Sequence, residues 1–275
     1  MTSTQLVAVI GHPVQHSLSP VMHNAVFEDL GIDWRFVAFD VAHGGAGEVI
    51  ATMRALDIAG LAVTMPHKED AAVAVDEVDS AARTLRSVNT VVARNDGTTF
   101  GASTDGRGFV DSVAASGFDV SGRRVVLLGA GGAARSIVDA LGRSGAADIA
   151  IVNRTESTAM EAALLSPVAR VGTVDDVAAA HLLVNSTSVG MSSGELPLDA
   201  TLLRRDLAVA DIVYHPLDTA LLQAARAEGA HTIDGLGMLV HQAVLQQELW
   251  TGRRPDPHLM RHAAEHAIQN ASGQT

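Results

Sequence analysis

RVVLLGAGGAARS, from Arg124 to Ser136, is an apolar run that breaks into glycines and then into a helix-like pattern. Val125–Leu128 reads as a strand buried on both faces, followed by a tight turn and a helix. Gly129, Gly131 and Ala134 fall on the G-x-G-x-x-G/A fingerprint, which serves a tight turn, close backbone approach to a pyrophosphate, and close packing of helix on strand. Together with Ala130, Gly132 and Ala133 they make a candidate cofactor loop, because a helix N-terminus presents unpaired N–H groups and the positive end of its dipole to an anion. A glycine-rich loop between two packed elements would share this short pattern, so what lies downstream decides the reading. A dinucleotide fold needs a second strand about 20 residues on, ending at the adenosine ribose. ADIAIV (147–152) supplies it. There follow Asn153, Arg154 and Thr155, with no acid until Glu156, where an NAD binder usually carries Asp or Glu. A guanidinium at that place suits a 2′-phosphate, so NADP is the expected cofactor.

The chain has 275 residues, enough for two domains of ordinary size, and is 47% hydrophobic, as a globular protein is. No apolar run approaches the roughly 18 residues that span a bilayer, and the first residues lack the pattern of a secretory signal; a cytoplasmic protein is expected. With no cysteine there are no disulfides, thiolate metal sites or cysteine nucleophile. The twelve histidines include no H-E-x-x-H pair, and no metal is expected. A formal charge of −12, from 19 basic and 31 acidic side chains, argues against nucleic acid and anionic membranes as partners. At 3% aromatic residues there is no base-stacking platform either. A small-molecule substrate, even an anionic one, stays open if local cations gather in its site.

Strand and helix signals alternate from the start, the mark of an α/β protein. Leu6–Ile10 reads as a first strand. Ser19 is placed as N-cap of a helix running from Pro20 to about Leu30, with Met22, Ala25, Val26 and Leu30 toward the core. Trp34–Val41, Gly60–Thr64, Val88–Arg94 and Thr98–Gly101 are predicted strands, the last two joined through Asp96-Gly97. Gly47–Leu56 and Ala71–Val78 are predicted helices. After a helix from Asp105 or Gly106 to about Ser116, strands are expected at Val125–Leu128, Ile149–Val152, Ala169–Val171, Leu182–Asn185, Ala208–Val213 and His231–Ile233. Helices are expected at Asp218–Glu228, Leu236–Trp250 and Pro257–Gln269. The expected architecture is two domains with a cleft between them: a substrate-binding and catalytic α/β domain over 1–105, rejoined by helices in 238–275, and a Rossmann-type NADP-binding domain over 106–237.

In an open α/β sheet ligands gather at the carboxyl ends of the strands. Ser17 and Ser19 offer two hydroxyls able to hold a carboxylate. Thr64 and Lys68 frame the turn after the third strand, Asn89 opens a strand, and Asp105 opens a helix. Taken singly, each also fits a cap, turn or surface residue.

Nine segments in order sharpen this: GHPVQHSLSPVMHNAVF (Gly11–Phe27), VTMPHK (Val63–Lys68), SVNTV (Ser87–Val91), STDGRG (Ser103–Gly108), GAGGAAR (Gly129–Arg135), NRT (Asn153–Thr155), NSTSVGM (Asn185–Met191), VYHP (Val213–Pro216) and GLGMLVHQA (Gly235–Ala243). The series resembles that of the shikimate dehydrogenase family across nearly the whole chain. The resemblance implies reversible NADP-dependent reduction of 3-dehydroshikimate to shikimate, in aromatic amino-acid biosynthesis. It implies Lys68 and Asp105 as the catalytic pair, Ser17 and Ser19 on the substrate carboxylate, and Thr64, Asn89 and Gln242 on ring hydroxyls or the reacting oxygen. Tyr214 then lines the substrate site, Gly235 and Met238 lie near the nicotinamide, and Thr187 and Ser188 join the cofactor contacts. The likeness breaks at Ala62, Arg86-Ser87, Ser103, Ser186 and His215, and at Thr158, where a second cation often stands. Several of these changes cluster on the substrate side, so a relative acting on quinate or an aminoshikimate is the near alternative, and a non-catalytic nucleotide sensor the distant one; retention of Lys68 and Asp105 speaks against the latter. A monomer or homodimer is expected.

Overall fold

The computed structural model describes residues 4–191 and 193–272. It divides into two compact units, one formed by 1–104 with 242–275 and the other by 105–241.

The first unit begins with β1 (Gln5–Gly11), α1 (Ser19–Asp29), β2 (Trp34–Asp40), α2 (Ala46–Thr52), β3 (Ile58–Val63) and α3 (Lys68–Ala74). It continues with β4 (Glu77–Val78), α4 (Ser80–Leu85), β5 (Thr90–Ala93) and β6 (Thr99–Ala102). The sheet order is β2-β1-β3-β5-β6-β4. β1, β2 and β3 are parallel, while β5 runs antiparallel to both β3 and β6. In β1, Ala8 and Ile10 pack with Met53 and Leu61 on one face, and Val7 and Val9 with Phe27 and Phe36 on the other. Cover on both faces is why the strand reads as an unbroken apolar run. Asp96 closes the β5–β6 hairpin by accepting the N–H of Thr98 at 2.9 Å, with Gly97 at φ +88°.

Several local expectations give way here. The helix expected over 71–78 starts at Lys68 and stops at Ala74, because Val75 is extended and Glu77 and Val78 pair with Phe100 and Gly101 of β6. α4 had no periodic signal; Asp79 caps it by accepting the N–H of Ala82. The helix expected to reach Leu56 ends at Thr52, and the strand expected over 88–94 is regular only from Thr90 to Ala93. Ser19 is not an N-cap but the first helical residue. Leu18 is already αR, and the N–H of Ser19 points back to Ser17 Oγ at 3.3 Å.

The second unit contains α5 (Asp105–Ala115), β7 (Arg124–Leu128), α6 (Gly132–Arg143), β8 (Asp148–Val152), α7 (Glu156–Ala163), β9 (Ala169–Val171), β10 (Leu182–Asn185), β11 (Ala208–Asp211), α8 (Ala220–Ala227) and β12 (His231–Ile233). Its sheet is wholly parallel, in the order β12-β11-β10-β7-β8-β9. That is the doubly wound dinucleotide-binding order, with its reversal between β7 and β10. The connection from β9 to β10 is a short 3₁₀ segment, Val174–Ala179, held by a capping box between Thr173 and Asp176. The strand expected to reach Val213 ends at Asp211.

α9 (Gly235–Thr251) crosses the boundary between the units, and α10 (Pro257–Ser272) packs against α1. Within the first unit α9 presents Gln242, Gln246 and Trp250 along one side, one residue per turn. Gln246 Nε2 donates to the carbonyl of Asn89 at 3.1 Å, and Trp250 Nε1 to that of Val91 at 3.0 Å. Gly60 lets the indole in, since any Cβ there would strike it.

His23 of α1 is fully buried, stacked on Phe36 at 4.5 Å, with its Nδ1 2.8 Å from Gln247 Oε1. Burial lowers its pKa from 6.5 to about 4, outweighing hydrogen bonds from Gln247 and Gln246 that act to raise it. The unfolded chain therefore takes up this proton first, and the neutral imidazole's contribution, complete above pH 6.5, is lost as pH falls toward 4. The shift corresponds to about 3 kcal/mol at pH 4. His23→Phe is expected to be less stable than wild type at pH 7, and chemical denaturation should find that gap narrowed by roughly this amount at pH 4. A gap independent of pH contradicts the assignment.

Candidate active site

The loops that matter in the second unit leave its sheet at one level. Leu128 is in register with Val152 and with Asn185, and Asn185 with Asp211, so residues 129–133, 153–155, 186–190 and 212–216 all emerge at the carboxyl edge beside the switch point. The glycines there do different work. Gly129 is at φ +103°, and a Cβ on it would come within 3.0 Å of Ser186 O. Gly131 and Gly132 face open space, where added Cβ atoms would meet nothing within 4 Å. Gly131 is also the N-cap of α6, with no side chain closing the helix end. Ala134 is fully buried against the sheet. An open, uncapped helix N-terminus at a switch point fits a pyrophosphate. At the end of β8, Asn153 Nδ2 bonds the carbonyl of Thr155 at 2.9 Å, Arg154 is exposed, and Thr155 caps α7 without using its hydroxyl. The residues present therefore fit NADP.

Thr187 and Ser188 follow β10 in a turn built by Asn185, whose Oδ1 accepts the N–H of Thr187 at 3.1 Å and its Oγ1 at 2.7 Å. Tyr214 follows β11 and is half-buried, which raises its hydroxyl pKa above the ordinary value. Gly235, first residue of α9, lies so close to Ile212 O and Val213 O that no Cβ fits. Met238 packs on the unit's core. Asp105 opens α5 in this unit.

The first unit holds the remaining candidates. Ile10 of β1 is in register with Val63 of β3, so the loop carrying Ser17 and Ser19 and the turn carrying Thr64 and Lys68 leave neighbouring strands at the same edge. Ser19 is buried and Ser17 half-buried. Lys68 is half-buried at the start of α3, and its carbonyl accepts the N–H of Val88 at 2.9 Å, which brings that helix start next to Asn89. His67 beside it is buried and anchored 2.8 Å from Val41 O. Asn89 is buried with its amide largely engaged: Oδ1 accepts the N–H of Thr104 at 2.8 Å, and Nδ2 donates to Thr104 Oγ1 at 2.9 Å and to Gln242 Oε1 at 3.5 Å. Asn89 thus secures the residue immediately preceding Asp105.

Sequence reading passed over Thr104, Gln246, Asn185 and Asp211 as functional residues. Asn-x-Thr at 185–187 is a legible turn signal. The others show only as partners across long separations. It also passed over the four-residue spacing of His258, His262 and His266 on α10; among the described residues no group of three His, Asp or Glu is placed to hold a metal ion.

Comparison with known proteins gives a consistent result. Residues 9–91 match the model of the shikimate dehydrogenase substrate binding domain, 112–189 that of shikimate / quinate 5-dehydrogenase, and 235–265 that of the shikimate 5'-dehydrogenase C-terminal domain. The chain is 45% identical to the shikimate dehydrogenase (NADP(+)) of Thermococcus kodakarensis, covering 96% of this chain and 97% of that one. It is 42% identical to the enzyme of the same name from Moorella thermoacetica, over 98% and 96% of the two chains. Among solved structures, shikimate 5-dehydrogenase from Thermus thermophilus in complex with NADP(H) and shikimate superposes with a TM-score of 0.89 at 38% identity, over 96% of this chain and 99% of that one.

Proposed function

This chain belongs to the shikimate dehydrogenase family, and from that premise we propose the part each of its residues plays in the reaction. The protein is an NADP-dependent oxidoreductase that interconverts 3-dehydroshikimate and shikimate. The observation that carries this reading is the level carboxyl edge of the second sheet, where the open Gly131-Gly132 approach stands beside Arg154 with no acid at the ribose position.

Gly129–Ala133 and the N-terminus of α6 hold the pyrophosphate; Asn153, Arg154 and Thr155 hold the 2′-phosphate and its ribose; Thr187, Ser188, Gly235 and Met238 bound the nicotinamide end. When bound, NADPH supplies the hydride to the carbonyl carbon. Ser17 and Ser19 donate hydrogen bonds to the substrate carboxylate, while Thr64, Asn89 and Gln242 hold ring hydroxyls and Tyr214 lines the site. Hydride arrival leaves an alkoxide that must be stabilised and protonated as it forms, and the Lys68 ammonium serves both needs. Asp105, the second member of the catalytic pair, holds the neighbouring hydroxyl. Among the described residues no helix is long and apolar enough to cross a membrane, and we place the enzyme in the cytoplasm as a monomer or homodimer.

The purified protein is expected to reduce NADP with shikimate, followed by absorbance at the nicotinamide band in a panel of shikimate, quinate and aminoshikimate with NADP and with NAD. Robust turnover of quinate with none of shikimate would replace the substrate and keep the reaction class.

A further inference from the structure

Asn185 and Asp211 are register partners at the ends of β10 and β11, so their side chains stand on the same face of the sheet. They build one continuous polar network. Asn185 uses both ends of its amide: Oδ1 takes the two bonds from Thr187, and Nδ2 donates to Val189 O at 3.1 Å and to Asp211 Oδ1 at 2.9 Å. Asp211 Oδ1 also accepts the N–H of Val213 at 3.1 Å, and its Oδ2 accepts Thr219 Oγ1 at 2.7 Å. Thr219 in turn accepts the N–H of Leu222 and so caps α8. Asp211 is only 2% exposed. Three donors converge on it, which an acceptor-only carboxylate satisfies and a neutral amide does not. A buried carboxylate is costly to keep without a cation, yet no ion pair to it is found among the described residues.

We propose that Asp211 is a positioning residue that locks the loop carrying Thr187 and Ser188 to the segment carrying Tyr214, holding the nicotinamide contacts and the substrate-lining tyrosine in one fixed arrangement. The proposal rests on the cofactor and substrate roles assigned above. Through Asn185 the carboxylate sets the turn at 187–189, and through the N–H of Val213 it sets the backbone just before Tyr214. Apart from this network the N–H of Ile212 bonds the carbonyl of Asn185 at 3.0 Å, a backbone tie that joins the strand ends and holds neither Thr187 nor Tyr214. A displacement of about 1 Å at a reacting centre is enough to cost roughly 10²-fold in rate.

The test is Asp211→Asn, which keeps shape and removes one acceptor. Calorimetric titration should show NADP binding roughly 10-fold weaker, and kcat with shikimate should fall by a further 10- to 100-fold, since ground-state binding and alignment are both lost. Tyr214 is the sole tyrosine, so incorporated 3-fluorotyrosine gives a single ¹⁹F resonance, which should shift or broaden in the ligand-free variant. Thr219→Val cuts only the arm to α8 and should lower the melting temperature while leaving NADP affinity within about 2-fold. Asn185→Ser cuts only the loop arm; it should weaken NADP while leaving the ¹⁹F line in place, and it carries the test if Asp211→Asn does not fold. Equal NADP losses in Thr219→Val and Asp211→Asn, or an unmoved ¹⁹F line in a folded Asp211→Asn, would mean that Asp211 merely stabilises the unit. Because calorimetry and fluorine resonance do not depend on turnover, a wild type inactive on shikimate would overturn the substrate reading and leave this test standing.

Discussion

Lys68→Ala should lower kcat by roughly 10²- to 10⁴-fold while KM for shikimate changes far less, the signature of a positioned acid or base used mainly in the transition state. The lysine opens α3, and its own carbonyl is bonded to Val88, so the backbone that carries it is fixed against the strand start at Asn89. Truncation to alanine leaves that backbone bond untouched, which is why loss of rate rather than of fold is expected. Asp105→Asn should behave similarly, and the double variant should lose less than the product of the two single losses, because groups acting as a unit are not additive. Steady-state kinetics with shikimate and NADP checks all three. A Lys68→Ala protein with near-normal kcat and only a raised KM would make Lys68 a binding residue and send the search for the proton route elsewhere.

Arg154→Ala should erase most of the preference for NADP over NAD. Wild type is expected to favour NADP by about 10²-fold in kcat/KM, the equivalent of roughly 3 kcal/mol. Arg154 is exposed just past the end of β8, at the level where the adenosine ribose sits in such a sheet, and no carboxylate pairs with it among the described residues. A guanidinium there can grip the 2′-phosphate bidentately, and each charge-assisted bond is worth roughly 1.5 to 3 kcal/mol. Thr155, whose hydroxyl is not spent on capping α7, adds a neutral bond of about 1 kcal/mol. Because Thr158 stands where a second cation would strengthen the grip, the preference should be moderate, and Thr158→Arg should widen it. The loss in Arg154→Ala should fall on NADP alone. If NAD suffers equally, Arg154 stacks on the adenine or supports the loop instead of reading the phosphate.

Local pattern carried further in the second unit than in the first, and the reason is physical. Its central strands β7, β8, β10 and β11 carry apolar residues packed on both faces, so apolar runs and glycine positions map directly onto β7, β8 and β10 and onto the turn at Gly129, whose positive φ the tight turn requires. The first unit was less legible where pairing partners are distant. Helical spacing over 71–78 was overruled because Glu77 and Val78 gain strand bonds to β6 some twenty residues on, and the N-cap expected at Ser19 falls one residue earlier because Leu18, with αR backbone, takes that place. The chemistry-bearing residue types at Lys68, Asp105, Ser17 and Arg154 are visible in the chain as written, since a motif is a matter of order and spacing. What they lean on is not. Asn89 holding Thr104, Gln246 holding the carbonyl of Asn89 from 157 residues away, and Asp211 gathering Asn185, Val213 and Thr219 are contacts made only when separate strands and helices come level, and no spacing rule reaches across that distance.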